Sequence, residues 1–179
     1  MMKFESLTPA LNYFQTRRKL WRKFSIAILP ALAVGIVLNC VPFKSNVNFG
    51  ELFEGFVNVQ ISAIAILISF SIAIVTILVS ADNPNIKKLK ETNSTECKPL
   101  RNGQKLNLFQ VLLSNITYNV LVSVVYLGFL ILCIVLQLYV GDTVYKWLMA
   151  LCVFFIVHIL HILLESVGKM YLTFWKHEE

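Results

Sequence analysis

His158, His161 and Glu165 stand in one apolar stretch at steps of three and four. On a helix those steps place both imidazoles and the carboxylate on a single face. Ionisable groups within a membrane segment are candidates for function. Two His and one Glu can ligate a metal, pass a proton or respond to pH. The pattern H-x-x-H-x-x-x-E is not the H-E-x-x-H of a zinc protease, and neither a P-loop nor G-x-S-x-G occurs in the chain. A hydrogen-bonded cluster with Ser123, Tyr126 or a neighbouring subunit accounts for the trio without chemistry. The expectation is a non-catalytic protein with no metal and no cofactor.

A second pattern is a stripe of small residues. Asn58, Ser62, Ala65, Ser69, Ala73, Thr76 and Ser80 follow one another at steps of three and four, from Gly55 to Asn83. At 100° per residue they fall within roughly 40° of one line along a helix. Isoleucine, valine, leucine and phenylalanine fill the rest of that segment. Two readings compete. Small residues let helices pack closely, and Ala27, Ala31 and Gly35 in the preceding segment offer a matching ridge. Alternatively the stripe lines a pore in a ring of identical subunits, with the hydroxyls as polar rings and Glu51 and Glu54 at one end.

The third candidate is basic. Arg17, Arg18 and Arg22 precede the first apolar segment, and Lys87, Lys88, Lys90, Lys98, Arg101 and Lys105 fall between the second and third. Such residues set topology and attract anionic lipid, at about 1 kcal/mol each. The second group is long enough to form a surface for a polyanion such as an oligonucleotide or nucleotide. Little aromatic residue is interleaved with it, so base stacking is not expected.

The elements that position these residues follow from composition. The chain has 179 residues, 57% of them hydrophobic, and a mean hydropathy of +0.70. Charge-free runs at 24–43, 55–81, 106–141 and 147–164 each reach the roughly 18–20 residues that cross a ~30 Å hydrocarbon core. The expected fold is an all-α membrane protein with four transmembrane helices. Of the 16 Lys and Arg, all but Lys44 and Lys146 fall on one side, so both termini face the cytoplasm. No small-x-small cleavage site follows the first span, and Asn39 stands where a lipoprotein box needs a small residue before Cys40, so the span reads as a retained anchor. Cys40, Cys97, Cys133 and Cys152 form no C-x-x-C pair and read as small hydrophobes.

Residues 1–23 read as an interfacial basic helix, with Thr8 and Pro9 at its start and Leu11, Phe14, Arg18 and Trp21 on one face, running into span one at 24–43. Residues 44–56 form an outer loop with a short helix announced by Asn48-Phe49-Gly50-Glu51. Span two covers 57–81 and a basic cytoplasmic loop 82–107. The third helix, 108–140, is too long to lie wholly in the membrane, because its charge-free run would measure about 54 Å. Its first part, 108–119, therefore protrudes as a cytoplasmic extension. Phe109, Leu112, Leu113 and Ile116 there should meet Val167, Met170, Tyr171 and Phe174 on the fourth helix, 145–176.

Asn58-Val59-Gln60 at the head of a small-residue span, then Asn85-Ile86-Lys87-Lys88-Leu89-Lys90, a long span and a C-terminal hairpin, resemble small multi-pass effectors of bacterial anti-phage defence. The likeness is to the Hailong type and covers residues 58 to about 139. It implies a ligand-gated channel of the bacterial inner membrane, formed by a homo-oligomer and controlled by a nucleic-acid ligand. The residues alone also allow a non-conducting accessory subunit that recruits a cytoplasmic partner.

Overall fold

A computed structural model describes residues 8–17, 20–42, 48–80, 84–94, 97–98 and 105–175. Arg18, Lys44, Asn83, Arg101 and the tail beyond 175 lie outside them, as does the side chain of Phe174. The fold is all-α. The elements are α1 (Thr8–Thr16), α2 (Leu20–Cys40), α3 (Phe49–Ser80), α4 (Pro84–Glu91), α5 (Leu108–Leu136) and α6 (Asp142–Trp175). Four of these helices, α2, α3, α5 and α6, are long and apolar enough to cross a membrane.

Three boundaries differ from the expected ones. The N-terminal helix does not run into the first span: α1 stops at Thr16, and Arg17 leaves the helix to form an antiparallel bridge with Cys97. The outer short helix is not separate either, since α3 is continuous from Phe49. Asn48 caps it, accepting from the Gly50 N–H at 3.1 Å while its amide donates to Glu51 Oε1 at 2.9 Å. Finally, the described part of the basic loop contains a helix, α4. α4 buries Ile86 and Leu89 and exposes Lys87, Lys88 and Lys90. Asn93 then pairs with Asn107, and the Ser94 N–H donates to the Leu106 carbonyl at 2.8 Å.

The start of α5 is a reciprocal capping box. The Gln110 N–H donates to Asn107 Oδ1 at 2.8 Å, and the Asn107 N–H donates to Gln110 Oε1 at 3.1 Å. Two orphan donors at the helix end are thereby satisfied.

The chain divides into two compact units, and α3, α5 and α6 contribute a stretch to each. One unit comprises Trp21–Ile68 and Val122–His161. Its core holds Leu38, Phe53, Val57, Ile64, Tyr126, Leu130, Cys133, Met149, Cys152 and Ile159. At one end of it Phe53 stacks on Tyr145, ring centroids 5.2 Å apart, and the Tyr145 hydroxyl donates to the Gln137 carbonyl at 2.8 Å. The other unit comprises Met1–Leu20, Ser69–Leu121 and Ile162–Glu179. There Leu78, Leu112 and Ile116 pack with Ile74, Val75, Phe109 and Met170. Phe109, Leu112 and Ile116 thus meet Met170 as expected, whereas Val167 and Tyr171 are exposed.

The small ridge on α2 faces α6. A Cβ at Gly35 would lie 3.4 Å from Ala150 Cβ and 3.5 Å from the Trp147 ring. Ala27 is fully buried, and Ala31 joins Trp147, Ala150, Leu151 and Phe154 around an apolar cleft of about 330 Å³. Alanine fits at Gly35; a longer side chain does not. Gly35→Leu should therefore cost about 1–3 kcal/mol through overpacking. Gly128→Ala, where nothing lies within 4 Å, should be neutral or slightly stabilising in the same thermal unfolding series.

Candidate functional site

On α3 the stripe and the packed face are opposite. Taking Asn58 as zero, Phe53, Val57, Gln60, Ile64, Ser71 and Leu78 fall between roughly 200° and 260° at 100° per residue, and all six are buried. The stripe, Asn58, Ser62, Ala65, Ser69, Ala73, Thr76 and Ser80, is exposed at every position. Its shoulders are exposed too, with Val59, Ile66, Phe70 and Ile77 on one side and Ile72 and Val79 on the other. The ridge Ala27-Ala31-Gly35 therefore does not cover the stripe: Gly35 is set against Ala150 and Trp147 instead. Among the described residues, no other helix buries the stripe.

Its hydroxyls are turned back onto their own helix. Ser62 Oγ donates to the Asn58 carbonyl at 3.2 Å, Thr76 Oγ1 to Ile72 at 3.0 Å and Ser80 Oγ to Thr76 at 2.7 Å. Bonds of this i−4 kind let a hydroxyl sit in an apolar setting without a second partner. The oxygen retains acceptor capacity, so the same face can be wetted or packed.

One polar residue anchors the opposite face. Gln60 is 7% exposed and accepts from the Tyr126 hydroxyl, which also bonds the Cys152 carbonyl at 3.1 Å. The Tyr126 ring is fully buried and lies 5.1 Å from that of Phe155, centroid to centroid. Gln60 was read from the sequence only as part of a short motif; its position half a turn from the stripe is the signal that marks it as an anchor.

The intramembrane trio has a structural setting. His158 is 2% exposed and stacks on Phe24 with centroids 4.8 Å apart and planes 11° apart, and on Phe154 at 5.9 Å. Tyr126, one of the alternative partners expected for the trio, bonds Gln60 and the Cys152 carbonyl. Glu165 accepts from Lys169 Nζ at 2.7 Å. Among the described residues no three His, Cys, Asp or Glu are placed to hold a metal ion.

The basic group divides. Arg22, Lys87, Lys88, Lys90, Lys98 and Lys105 are exposed. Lys90 Nζ lies over the Phe109 ring at 5.2 Å. Arg17, expected on the same basic surface, is not exposed there: it is 4% exposed. The cause is its pairing beyond the end of α1, with Cys97 and with Val111 and Asn115 of α5. Tyr13, Thr16 and Arg17 follow at steps of three and one, and all three are buried. Tyr13 stacks on Tyr118 at 4.0 Å with planes 2° apart, and Arg17 lies over the Tyr13 ring at 5.3 Å. Burial raises the Tyr13 phenol above its ordinary range, and the Arg17 charge partly offsets that rise.

The chain matches no family model, no curated protein and no solved structure in the comparisons made.

Proposed function

We propose that this chain is one subunit of a homo-oligomeric ion channel in a bacterial inner membrane, with both termini in the cytoplasm and its basic cytoplasmic elements as the gate. Opening would dissipate ion gradients, which suits an effector that halts a phage-infected cell. The observation that carries the reading is the exposure of α3 from Asn58 to Ser80, opposite a packed face. Lipid is satisfied by large apolar side chains. A continuous exposed line of Ser, Thr, Asn and Ala favours other copies of the chain around a water-filled axis instead. The shoulders Val59, Ile66, Phe70, Ile77, Ile72 and Val79 then supply the contacts between copies. α4 and the paired segment after it give the gate a surface for an oligonucleotide or nucleotide ligand, and Lys87, Lys88, Lys90, Lys98 and Lys105 would meet its phosphates.

The purified chain, reconstituted in liposomes, should run as an oligomer and pass ions when the gate is open. A monomer that passes no ion under any ligand sinks the reading. α4 and the pairing of Asn93 with Asn107 also support a second reading, a non-conducting subunit that recruits a cytoplasmic partner. Under that reading a stable heteromeric complex co-purifies, and substitutions in the stripe do not touch its formation.

A further inference from the structure

We infer that Arg17, Asn115 and Asn119 form a seat for a phosphate group. The side chains are 4%, 0% and 1% exposed. Arg17 Nη2 donates to the Val111 carbonyl at 3.2 Å and to Asn115 Oδ1, and Nη1 donates to Cys97 Sγ at 3.5 Å. Val111, Asn115 and Asn119 follow at steps of four along one face of α5.

The hydrogen-bond partners of the guanidinium among the described residues are neutral, and donors are left over. Arg17 Nε, Asn115 Nδ2 and Asn119 Nδ2 are buried without a hydrogen bond, as is Asn119 Oδ1. A cation removed from water is costly unless an anion faces it. Unpaired amide N–H groups beside it add to that cost. One tetrahedral oxyanion settles both, because a guanidinium and amide N–H groups are the donors that phosphate oxygens accept. Tyr13 meets Arg17 with its ring, and Glu165, whose charge reaches the Tyr13 hydroxyl, is shared with Lys169 at 2.7 Å.

Charge favours phosphate over a carboxylate. Lys87, Lys88, Lys90, Lys98 and Lys105 are exposed in the same unit, and Lys98 adjoins the residue that bridges Arg17. A positive surround selects the anion with the greater charge. Entry needs only a local opening of α1. That helix has nine residues, and its described tethers include Tyr13 and Phe14 against Tyr118 and the Lys98 N–H to the Thr16 carbonyl at 2.8 Å. The assignment stands whether or not the chain conducts.

The phosphate is either free or the headgroup of a phospholipid, and thermal unfolding of the full chain separates the two. In detergent, inorganic phosphate at about ten times its dissociation constant should raise the midpoint by about 3 °C over chloride at matched ionic strength. Asn119→Leu should unfold no earlier than the parent without phosphate, because it removes an unpaired amide, and should lose the phosphate-dependent shift. Arg17→Lys should keep less than half of it. A rise that survives in Asn119→Leu is general salt stabilisation and counts against the seat. If inorganic phosphate does nothing, nanodiscs containing phosphatidic acid should raise the midpoint over pure phosphatidylcholine, again only while Asn119 is present. That outcome assigns the seat to a lipid headgroup. No Asn119-dependent shift in either arm overturns the proposal. Should Arg17→Lys fail to fold, Asn119→Leu decides alone.

Discussion

Leucine at Ser69 or Thr76 should stop ion flux and leave the protein folded. Both positions are exposed on the small-residue face of α3. Exposed substitutions generally change stability by no more than about 0.5 kcal/mol, so the unfolding midpoint should move by about 1–2 °C at most. In a ring of copies, however, each leucine projects towards the axis. A collar of isobutyl groups narrows the path and expels water from it, and an apolar constriction of that kind gates by dewetting. Flux through liposomes should fall at least about tenfold, a loss of about 1.4 kcal/mol or more in the barrier for passage. Thr76→Ser keeps a hydroxyl able to bond the Ile72 carbonyl, as Thr76 does at 3.0 Å, and should conduct like the parent. The oligomer must be sized in the same preparation, because a leucine that dissociates the ring would also abolish flux. Full flux through an intact Ser69→Leu or Thr76→Leu oligomer would remove the stripe from the conduction path.

The four spans were legible because a membrane segment announces itself by composition, and the charge-free runs coincide with α2, α3, α5 and α6. Asn48-x-x-Glu51 announced the start of α3. The same signature, Asn107-x-x-Gln110, begins α5, but it was hidden at the end of a segment whose polarity reads as loop. α4 escaped notice for a different reason. Ile86 and Leu89 are its only buried residues among those described, and two apolar positions are too few to establish a helical period.

The partner of a small-residue ridge is a long-range fact. Ala27, Ala31 and Gly35 suit any closely approaching helix, and only the folded arrangement assigns Gly35 to Ala150 and Trp147. The burial of Arg17 is long-range in the same way. Beside Arg18 it belongs to a basic run, yet its burial depends on Cys97, Val111 and Asn115, which lie 80 or more residues away in sequence. Local pattern gives helix phase; it does not say which side of a helix will be covered.

The orientation of the stripe depends on what holds the other side of α3, and there Gln60 and Tyr126 should show strong coupling. Tyr126→Phe removes the hydroxyl and strands a glutamine that is 7% exposed. Leaving a buried amide unpaired costs about 1–3 kcal/mol. Gln60→Leu should cost less, because the Tyr126 hydroxyl keeps the Cys152 carbonyl at 3.1 Å. The double variant should be no worse than Tyr126→Phe alone, since no amide is then left stranded. The resulting coupling should reach about 1 kcal/mol, within the range found for hydrogen bonds between membrane helices. Tyr126→Ala is the severe case. It also removes a fully buried ring packed on Phe129 and Phe155, at about 3–5 kcal/mol. These substitutions differ in kind from those in the stripe. Gln60 sits roughly 180° around the helix from Asn58–Ser80, so losing its bond frees α3 to rotate and turns the small face away from its axis. Tyr126→Phe should therefore lower stability and flux together, whereas Ser69→Leu lowers flux alone. Equal stability of the parent and Tyr126→Phe would show that apolar packing of Phe53, Val57 and Ile64 sets the rotation of α3 without Gln60.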